Sequence, residues 1–203
     1  MPVFFFNAPN YMNAPMHPIR FIGNKIHERR LSPAIEFVRE QLRWKYRKTG
    51  EEIFMHSYRM FQKCLDAGIY DEAILAGALL HDIIEDGEVS LSEIRSRFGE
   101  HISCIVEGMT GVDEMGEKFA KADYFILFRW HSENNWRVLF VKLIDCIDNL
   151  ETIHGLSREK QELFKREKRE VYLPIFEEYA DRVPFEARYA YVKNIAELRR
   201  LLS

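Results

Sequence analysis

The sequence predicts an all-α fold. Apolar residues recur at helical spacing along most of the chain, and no segment shows the strict alternation of a β-strand. Helix start and stop signals, such as Ser32-Pro33 and Gly68, separate the periodic segments. The 203 residues, 47% hydrophobic and 30% charged, are enough for one domain with a sizeable core. We therefore expect a helical bundle.

The chain divides into an arm and a body. Residues 1–31 are rich in Pro, Asn, Met and aromatic residues, which predicts an extended arm packed on the body or on a second copy of the chain. The body occupies residues 32–203. Its helices are predicted, in order, at 32–46, 52–67, 70–84, 90–98, 100–109, 119–130, 135–153, 158–179 and 185–202.

Prolines, glycines and a capping motif predict these helix boundaries. Pro33 suits the first position of a helix, and Gly50 marks the turn before the next one. The Ser90-Leu91-Ser92-Glu93 run has the form of a capping box, which predicts a helix start there. Residues 110–118, with two glycines and several acids, predict a mobile loop. Pro174 is expected to kink or split the penultimate helix because it lacks a backbone N–H.

The charge and cysteine content exclude several classes of protein. The net charge of −3 provides no bulk attraction to nucleic acid or to an anionic membrane, so neither is an expected partner. No segment resembles a transmembrane helix or a signal peptide. Cys64, Cys104 and Cys146 are scattered and odd in number, which indicates free thiols in a reducing cytoplasm.

One apolar segment ends in an imidazole and three carboxylates. Residues 78–86 read Ala-Leu-Leu-His-Asp-Ile-Ile-Glu-Asp, so that His81, Asp82, Glu85 and Asp86 follow a run of apolar side chains. Burying such groups is costly unless a cation or a partner compensates them. In a helix, His81 and Glu85 share one face, as do Asp82 and Asp86. The alternative is a helix end with solvated acids.

A second apolar helix carries acids in its interior. Asp145 and Asn149 lie at i and i+4 within residues 141–152, and Thr152 follows about one turn later on the same side. Asp145 could complete a metal shell, while Asn149 and Thr152 could donate hydrogen bonds to a substrate. An amphipathic helix with a polar edge explains the same pattern. His56, in the helix after Gly50, is the remaining plausible ligand, although a lone histidine is often only packed.

His56, His81-Asp82 and Asp145 form the pattern H…HD…D. This pattern resembles that of the HD metal-dependent phosphohydrolases, and in detail the hydrolase domain of the RelA/SpoT alarmone enzymes, especially the small stand-alone (p)ppGpp hydrolases. The supporting segments, in order from about residue 35 to 185, are Arg47-Lys48-Thr49-Gly50, 79–86, Phe98-Gly99, 105–110, 141–145 with Asn149 and Thr152, Arg166-Glu167 and Tyr172-Leu173-Pro174.

The resemblance implies an HD-domain helical bundle and a function. The metal ligands would be His56, His81, Asp82 and Asp145, and the metal would be Mn²⁺. Two imidazoles and two carboxylates suit Mn²⁺, Fe²⁺ or Zn²⁺, and the residues alone do not choose among them. Glu85 and Asp86 would be the catalytic pair that orients and deprotonates water.

The implied substrate is a guanosine alarmone. Its 3′-diphosphate would be released as pyrophosphate, leaving GDP or GTP. Arg47 and Lys48 would hold phosphate oxygens, Asn149 and Thr152 would position the ribose and the scissile phosphate, and Tyr172 would lie against the base. No synthetase domain is visible in the 203 residues, so we expect hydrolysis without synthesis.

The sequence departs from the family at several positions. Ser57, Gly87 and Asp148 stand where the family usually has Pro, Thr and His, and the usual His-x-Gly-Gln before Arg47 is absent. No departure removes one of the implied metal ligands, but the identity of the nucleotide substrate stays open. The alternatives are an HD phosphohydrolase acting on a deoxynucleotide, a cyclic nucleotide or NADPH, and a nucleotide-binding HD protein without turnover.

Overall fold

The backbone is helical almost throughout residues 18–113 and 115–203, the part of the chain that the computed structural model describes. The α-helices are α1 (Pro18–Arg30), α2 (Ser32–Gln41), α3 (Ile53–Asp66), α4 (Glu72–Leu80), α5 (Ile83–Asp86), α6 (Leu91–Phe98), α7 (Glu100–Met109), α8 (Lys121–Asn134), α9 (Trp136–Glu151), α10 (Arg158–Glu167), α11 (Leu173–Glu178) and α12 (Phe185–Leu202). Extended pairing in this part is limited to two isolated antiparallel bridges, Tyr46 with Glu52 and Val112 with Lys118. The predicted all-α fold is confirmed.

The predicted arm is wrong over residues 18–30. Residues 1–17 lie outside the described part, whereas Pro18–Arg30 form α1 instead of extended chain. The last proline of the arm is the first residue of this helix, a position that tolerates proline. Side-chain contacts then hold α1 to the body: the His27 ring stacks on Tyr70, and Glu28 accepts hydrogen bonds from α3. The boundary between an arm and a domain at residue 32 stays a prediction.

Two predicted helices are shorter than expected. The first ends at Gln41 and not at residue 46, because Trp44 adopts a positive φ of 66° and the chain turns towards the Tyr46–Glu52 bridge. The helix predicted over 70–84 is interrupted at His81 and Asp82, where a turn separates α4 from α5. This interruption places both side chains at a helix junction.

The core is built around α9, which contacts α3, α4, α7, α8 and α12. Helix α4 is apolar on all sides, and its residues from Ile74 to Leu80 are all buried. A helix of this kind belongs in an interior, so the end of α4 is fixed in the middle of the bundle. On α4, a Cβ on Gly77 would lie 2.6 Å from Ile105 Cγ2, so this glycine permits the close approach of α7.

The penultimate helix is split, as Pro174 predicted. Helix α10 runs into a π-helical turn, Lys168–Tyr172, and α11 follows with Pro174 in its first turn. A π-turn holds an extra residue and rotates the side chains before it relative to those after it. No helix in the described part is long and apolar enough to cross a bilayer. All three cysteines are free thiols, as predicted.

Candidate metal centre and the adjoining cavity

Three parts of the bundle bring the four predicted ligands together. Helix α3 provides His56, the junction of α4 and α5 provides His81 and Asp82, and α9 provides Asp145. His56 Nε2 lies 3.2 Å from His81 Nε2 and 3.4 Å from Asp145 Oδ1. Asp82 Oδ2 lies 2.9 Å from His81 Nε2 and 3.7 Å from His56 Nε2. The four side chains, distant in sequence, therefore face one point.

The geometry fits a divalent ion. One ligand atom from each of His56, His81 and Asp82 lies within 4.8 Å of the others, and Asp145 Oδ1 is 4.0 Å from His81 Nε2. Metal–ligand bonds of about 2.0–2.2 Å place neighbouring ligand atoms roughly 3–4 Å apart around one ion. Two imidazole nitrogens and two carboxylate oxygens form a donor set of the kind that first-row divalent metals prefer.

Hydrogen bonds orient both imidazole rings towards that point. His81 Nδ1 lies 2.9 Å from the Ala78 carbonyl oxygen, an acceptor, so this nitrogen must carry the proton of a neutral ring. His56 Nδ1 lies 2.7 Å from Asp148 Oδ2 in the same way. When the rings are neutral, Nε2 of each is then left with a lone pair that faces the cluster. This is the arrangement that outer carboxylates and carbonyls give to metal-binding histidines.

Asp148 contacts the candidate metal ligand His56, although it was not among the predicted site residues. The sequence showed it only as a departure from the family. It is fully buried and accepts hydrogen bonds from Arg59 Nε at 2.8 Å and Arg59 Nη2 at 2.7 Å, besides its contact with His56. The Arg59 guanidinium also pairs with Glu51. The available signal was a second acid three residues after Asp145 on an otherwise apolar helix.

The cluster is strongly anionic. Burial would lower the pKa of His56, but the Asp145 and Asp148 carboxylates outweigh burial and raise that pKa to about 9. Burial would raise the pKa of Asp145, yet the Lys142 ammonium and the two imidazoles hold it well below the usual range. The pKa of Asp82 is lowered too, since the His81 and His56 charges overcome its burial. Such a cluster stabilises a cation, whether a proton or a metal ion.

A cavity of about 370 Å³ opens beside the four ligands. It is lined by the metal-ligand candidates His56, Asp82 and Asp145, by acids Glu85 and Glu167, by Arg47 and Asn149, by Lys118, Lys121, Lys142 and Lys168, and by Met109, Gly111, Phe119, Tyr124, Phe125, Phe164 and Tyr172. The lysines were not among the predicted site residues. They come from three different helices and one loop, so no single stretch of sequence shows them as a group.

The two predicted catalytic acids occupy different positions. Glu85 lines the cavity, and its Oε1 accepts a hydrogen bond of 2.6 Å from the backbone N–H of Gly111. Asp86 is half-buried outside the lining, and its backbone oxygen accepts from Lys45 Nζ at 2.6 Å. Burial and the neighbouring Asp82 and Glu85 charges raise the pKa of Asp86. Glu85 is therefore the better placed of the two to reach a substrate.

The five residues predicted to bind the substrate fall into two groups, those that line the cavity and those that do not. Arg47, Asn149 and Tyr172 line the cavity; Arg47 Nη2 donates to Asn149 Oδ1, and Asn149 Nδ2 in turn donates to Asp145. Lys48 is exposed and Thr152 donates its hydroxyl to the Asp148 carbonyl oxygen at 2.8 Å, and neither residue lines the cavity. The roles of all five residues in binding stay predictions.

A helical bundle that directs two histidines and two aspartates at one point is suited to hold a metal ion. The family described as HD domain matches residues 34–177, and the chain belongs to this family.

Similar proteins agree with this membership. The chain is 30% identical over 186 residues to the guanosine-3′,5′-bis(diphosphate) 3′-pyrophosphohydrolase of Aquifex aeolicus (strain VF5), covering 86% of this chain and 27% of that protein. It is 27% identical over 188 residues to the bifunctional (p)ppGpp synthase/hydrolase SpoT of Escherichia coli (strain K12), covering 85% of this chain and 26% of that protein. The chain thus spans about a quarter of the length of these relatives.

A solved structure shows the same fold. It is described as a metazoan ortholog of SpoT that hydrolyzes ppGpp and plays a role in starvation responses. The match has a TM-score of 0.61 and 20% sequence identity, and it covers 84% of this chain and 92% of the other. Sequence and fold therefore place the chain among the HD domains related to SpoT- and RelA-type enzymes.

Proposed function

We propose that this domain hydrolyses the 3′-diphosphate of guanosine alarmones, converting ppGpp or pppGpp and water into GDP or GTP and pyrophosphate. The proposal includes one Mn²⁺ ion held by His56, His81, Asp82 and Asp145, and a cytoplasmic setting consistent with three free thiols. Its main support is one arrangement: four convergent ligands beside a cavity whose walls carry Arg47 and four lysines. A highly phosphorylated substrate needs such walls.

A bound divalent ion would lower the pKa of its water and neutralise charge on the phosphoryl oxygens. The other parts of the mechanism belong to the chain. His56 and His81 keep their Nε2 lone pairs towards the centre through the hydrogen bonds at Nδ1. Glu85 takes a proton from the attacking water; it is fixed near the centre by the Gly111 N–H.

The reaction exchanges one bond for another. The oxygen of water bonds to the phosphorus attached to the ribose O3′, the bond between that phosphorus and O3′ breaks, and O3′ receives a proton. Arg47 is well suited to hold a phosphoryl oxygen, because its buried Nη1 has no hydrogen-bond partner in the described structure. An unpaired buried donor costs free energy, and an anionic ligand would satisfy it.

The test is a product analysis. Metal-reconstituted protein is offered ppGpp, a deoxynucleoside triphosphate, a cyclic nucleotide and NADPH, and the products are separated by ion exchange. The proposal predicts pyrophosphate and GDP from ppGpp, and far less product from the others. Release of inorganic phosphate from NADPH, with ppGpp left intact, would contradict the proposal and identify NADPH as the substrate. Tight ppGpp binding without any product would favour a binding protein.

A further inference from the structure

The outward face of α12 is apolar over about three turns. Phe185, Tyr189 and Val192 are 88%, 81% and 51% exposed, and exposed Ala196 continues the same line. Steps of four, three and four residues place these four side chains on one side of a helix. Single exposed apolar residues are common on protein surfaces, whereas a continuous line of them indicates a contact surface.

The opposite face of α12 belongs to the core. Ala187, Tyr191, Ile195 and Leu198 are buried, and this face packs mainly on α9. The Tyr191 hydroxyl also donates a hydrogen bond of 3.1 Å to the Phe176 carbonyl oxygen. The inward face therefore holds the helix in place, and the apolar line on the outward face is left for another molecule.

The apolar line has the spacing of a coiled-coil seam. Alternating steps of four and three residues are those between heptad positions d and a, at which two helices pack together. In an antiparallel pair of α12 helices, each d position of one copy meets an a position of the other. Phe185 then meets Ala196, and Tyr189 meets Val192, so that a large side chain packs against a smaller one. The line is thus complementary to itself under a twofold axis.

Two charged side chains beside the line favour this antiparallel direction. Glu186 and Lys193 lie on one flank of the line, at the heptad positions that face each other across an antiparallel seam. Two Glu–Lys contacts would therefore form, one at each end of the seam. Within the described part of the chain, the ion pairs of α12 are made further along the helix, by Arg199 and Arg200. Both groups are thus without an ion-pair partner in their own copy.

A parallel pair of the same helices is disfavoured. Parallel seams bring together residues five apart on opposite flanks, and here these residues are Arg188 and Lys193. The two like charges would meet twice in a parallel dimer, and such contacts oppose association. The charge pattern therefore selects one direction of pairing.

We propose that α12 binds α12 of a second copy of this chain in the antiparallel direction, through Phe185, Tyr189, Val192 and Ala196. The inference goes beyond the proposed function and does not depend on it, because no described residue of α12 lines the cavity beside the metal centre. A seam of three turns buries a small area, so the dimer is weak, with a Kd on the order of 10 μM.

The test is sedimentation velocity of the full chain at concentrations well below and well above this Kd. The unmodified protein should change from monomer to dimer as its concentration rises. Tyr189→Glu should remain a monomer, because pairing would bury its carboxylate in the seam. Ile126→Glu is the matched control and should dimerise normally, since Ile126 is 68% exposed on α8 and lies outside the seam.

Two outcomes of this experiment would overturn the proposal. A protein that is monomeric at every concentration leaves the apolar face to a different partner. A dimer that persists in Tyr189→Glu uses another surface of the molecule.

Charge variants test the direction of pairing without altering the apolar line. Lys193→Glu should raise the Kd about tenfold, because each Glu186 then faces a second carboxylate. Adding Glu186→Lys to that variant should restore the affinity. In a parallel dimer, Lys193→Glu would instead lower the Kd because Arg188 gains an acidic partner, and that result overturns the proposed arrangement. An unchanged Kd in Lys193→Glu contradicts it as well.

Discussion

The carboxylate of Asp148 links a candidate metal ligand to an arginine. Its Oδ2 lies 2.7 Å from His56 Nδ1 and 2.7 Å from Arg59 Nη2, so one buried acid fixes the orientation of the ring and also pairs a guanidinium. Asp148→Asn should weaken Mn²⁺ binding about 10–100-fold, the usual effect of losing such a partner. It should also cost about 1–3 kcal/mol of unfolding free energy through the weaker bond to Arg59.

Calorimetric Mn²⁺ titration and urea unfolding measure these two effects separately. Glu51→Gln is the matched comparison, because it weakens the Arg59 network without touching His56. We expect that variant to lose stability but to keep its Mn²⁺ affinity. Equal loss of Mn²⁺ affinity in both variants would show that Asp148 acts only through the general stability of the network.

Removal of the metal should abolish activity and lower thermal stability together. Asp82 and Asp145 lie near each other with two imidazoles between them, and a bound cation relieves their repulsion. A metal ion at a free concentration of a hundred times its dissociation constant adds about 2.7 kcal/mol to the free energy of unfolding. A chelator should therefore reduce the melting temperature, and Mn²⁺ should restore it. In Asp82→Ala the melting temperature should not respond to Mn²⁺, whereas exposed Asp123→Ala should respond normally.

Glu85→Gln should reduce kcat by about two to four orders of magnitude if Glu85 accepts the proton of water. The amide oxygen can still accept the hydrogen bond from Gly111 N–H, so the contact with the loop is kept. Single-turnover kinetics with ppGpp measure the loss, and Mn²⁺ titration should show unchanged metal affinity. Near-normal turnover in this variant would transfer the role of base to another group, with Asp86 the next to test.

Arg47 and Lys48, adjacent in sequence, should differ in their effect on KM. Arg47 lines the cavity with an unpaired Nη1, while Lys48 is exposed outside the lining. Loss of a charge-assisted hydrogen bond of about 1.5–3 kcal/mol corresponds to roughly a 10–100-fold increase in KM for Arg47→Met. For Lys48→Met we expect a much smaller change. Equal increases in steady-state assays of the two variants would show that Lys48 reaches the substrate from outside the cavity.

The helices and the candidate metal ligands could be predicted because both depend on local patterns. Apolar periodicity gave α7 and α12 their full extents, and His56, His81, Asp82 and Asp145 are unusual residue types in apolar segments. The convergence of these ligands required the resemblance to the HD family, because spacing in the sequence alone does not bring α3 and α9 together.

The groups around the ligands could not be predicted in the same way. The pair Arg59 and Asp148 is formed between α3 and α9, 89 residues apart, so the acid on α9 does not by itself indicate its partner on α3. The helix over 18–30 was not predicted, because the prolines in residues 1–18 indicated extended chain. Lys168 was missed because a regular helix through 158–179 has a constant angular step, and the π-turn changes that step.

The π-turn makes the number of residues between α10 and Pro174 critical. An α-helix advances by about 100° per residue, so deleting one residue within the turn would convert it to regular helix and swing α10 around its axis by about that angle. Every side chain of α10 would change its neighbours, although no amino acid on that helix had been altered. A gap or insertion at this place in a related sequence therefore carries more information than a substitution, because it decides which side chains face the cavity.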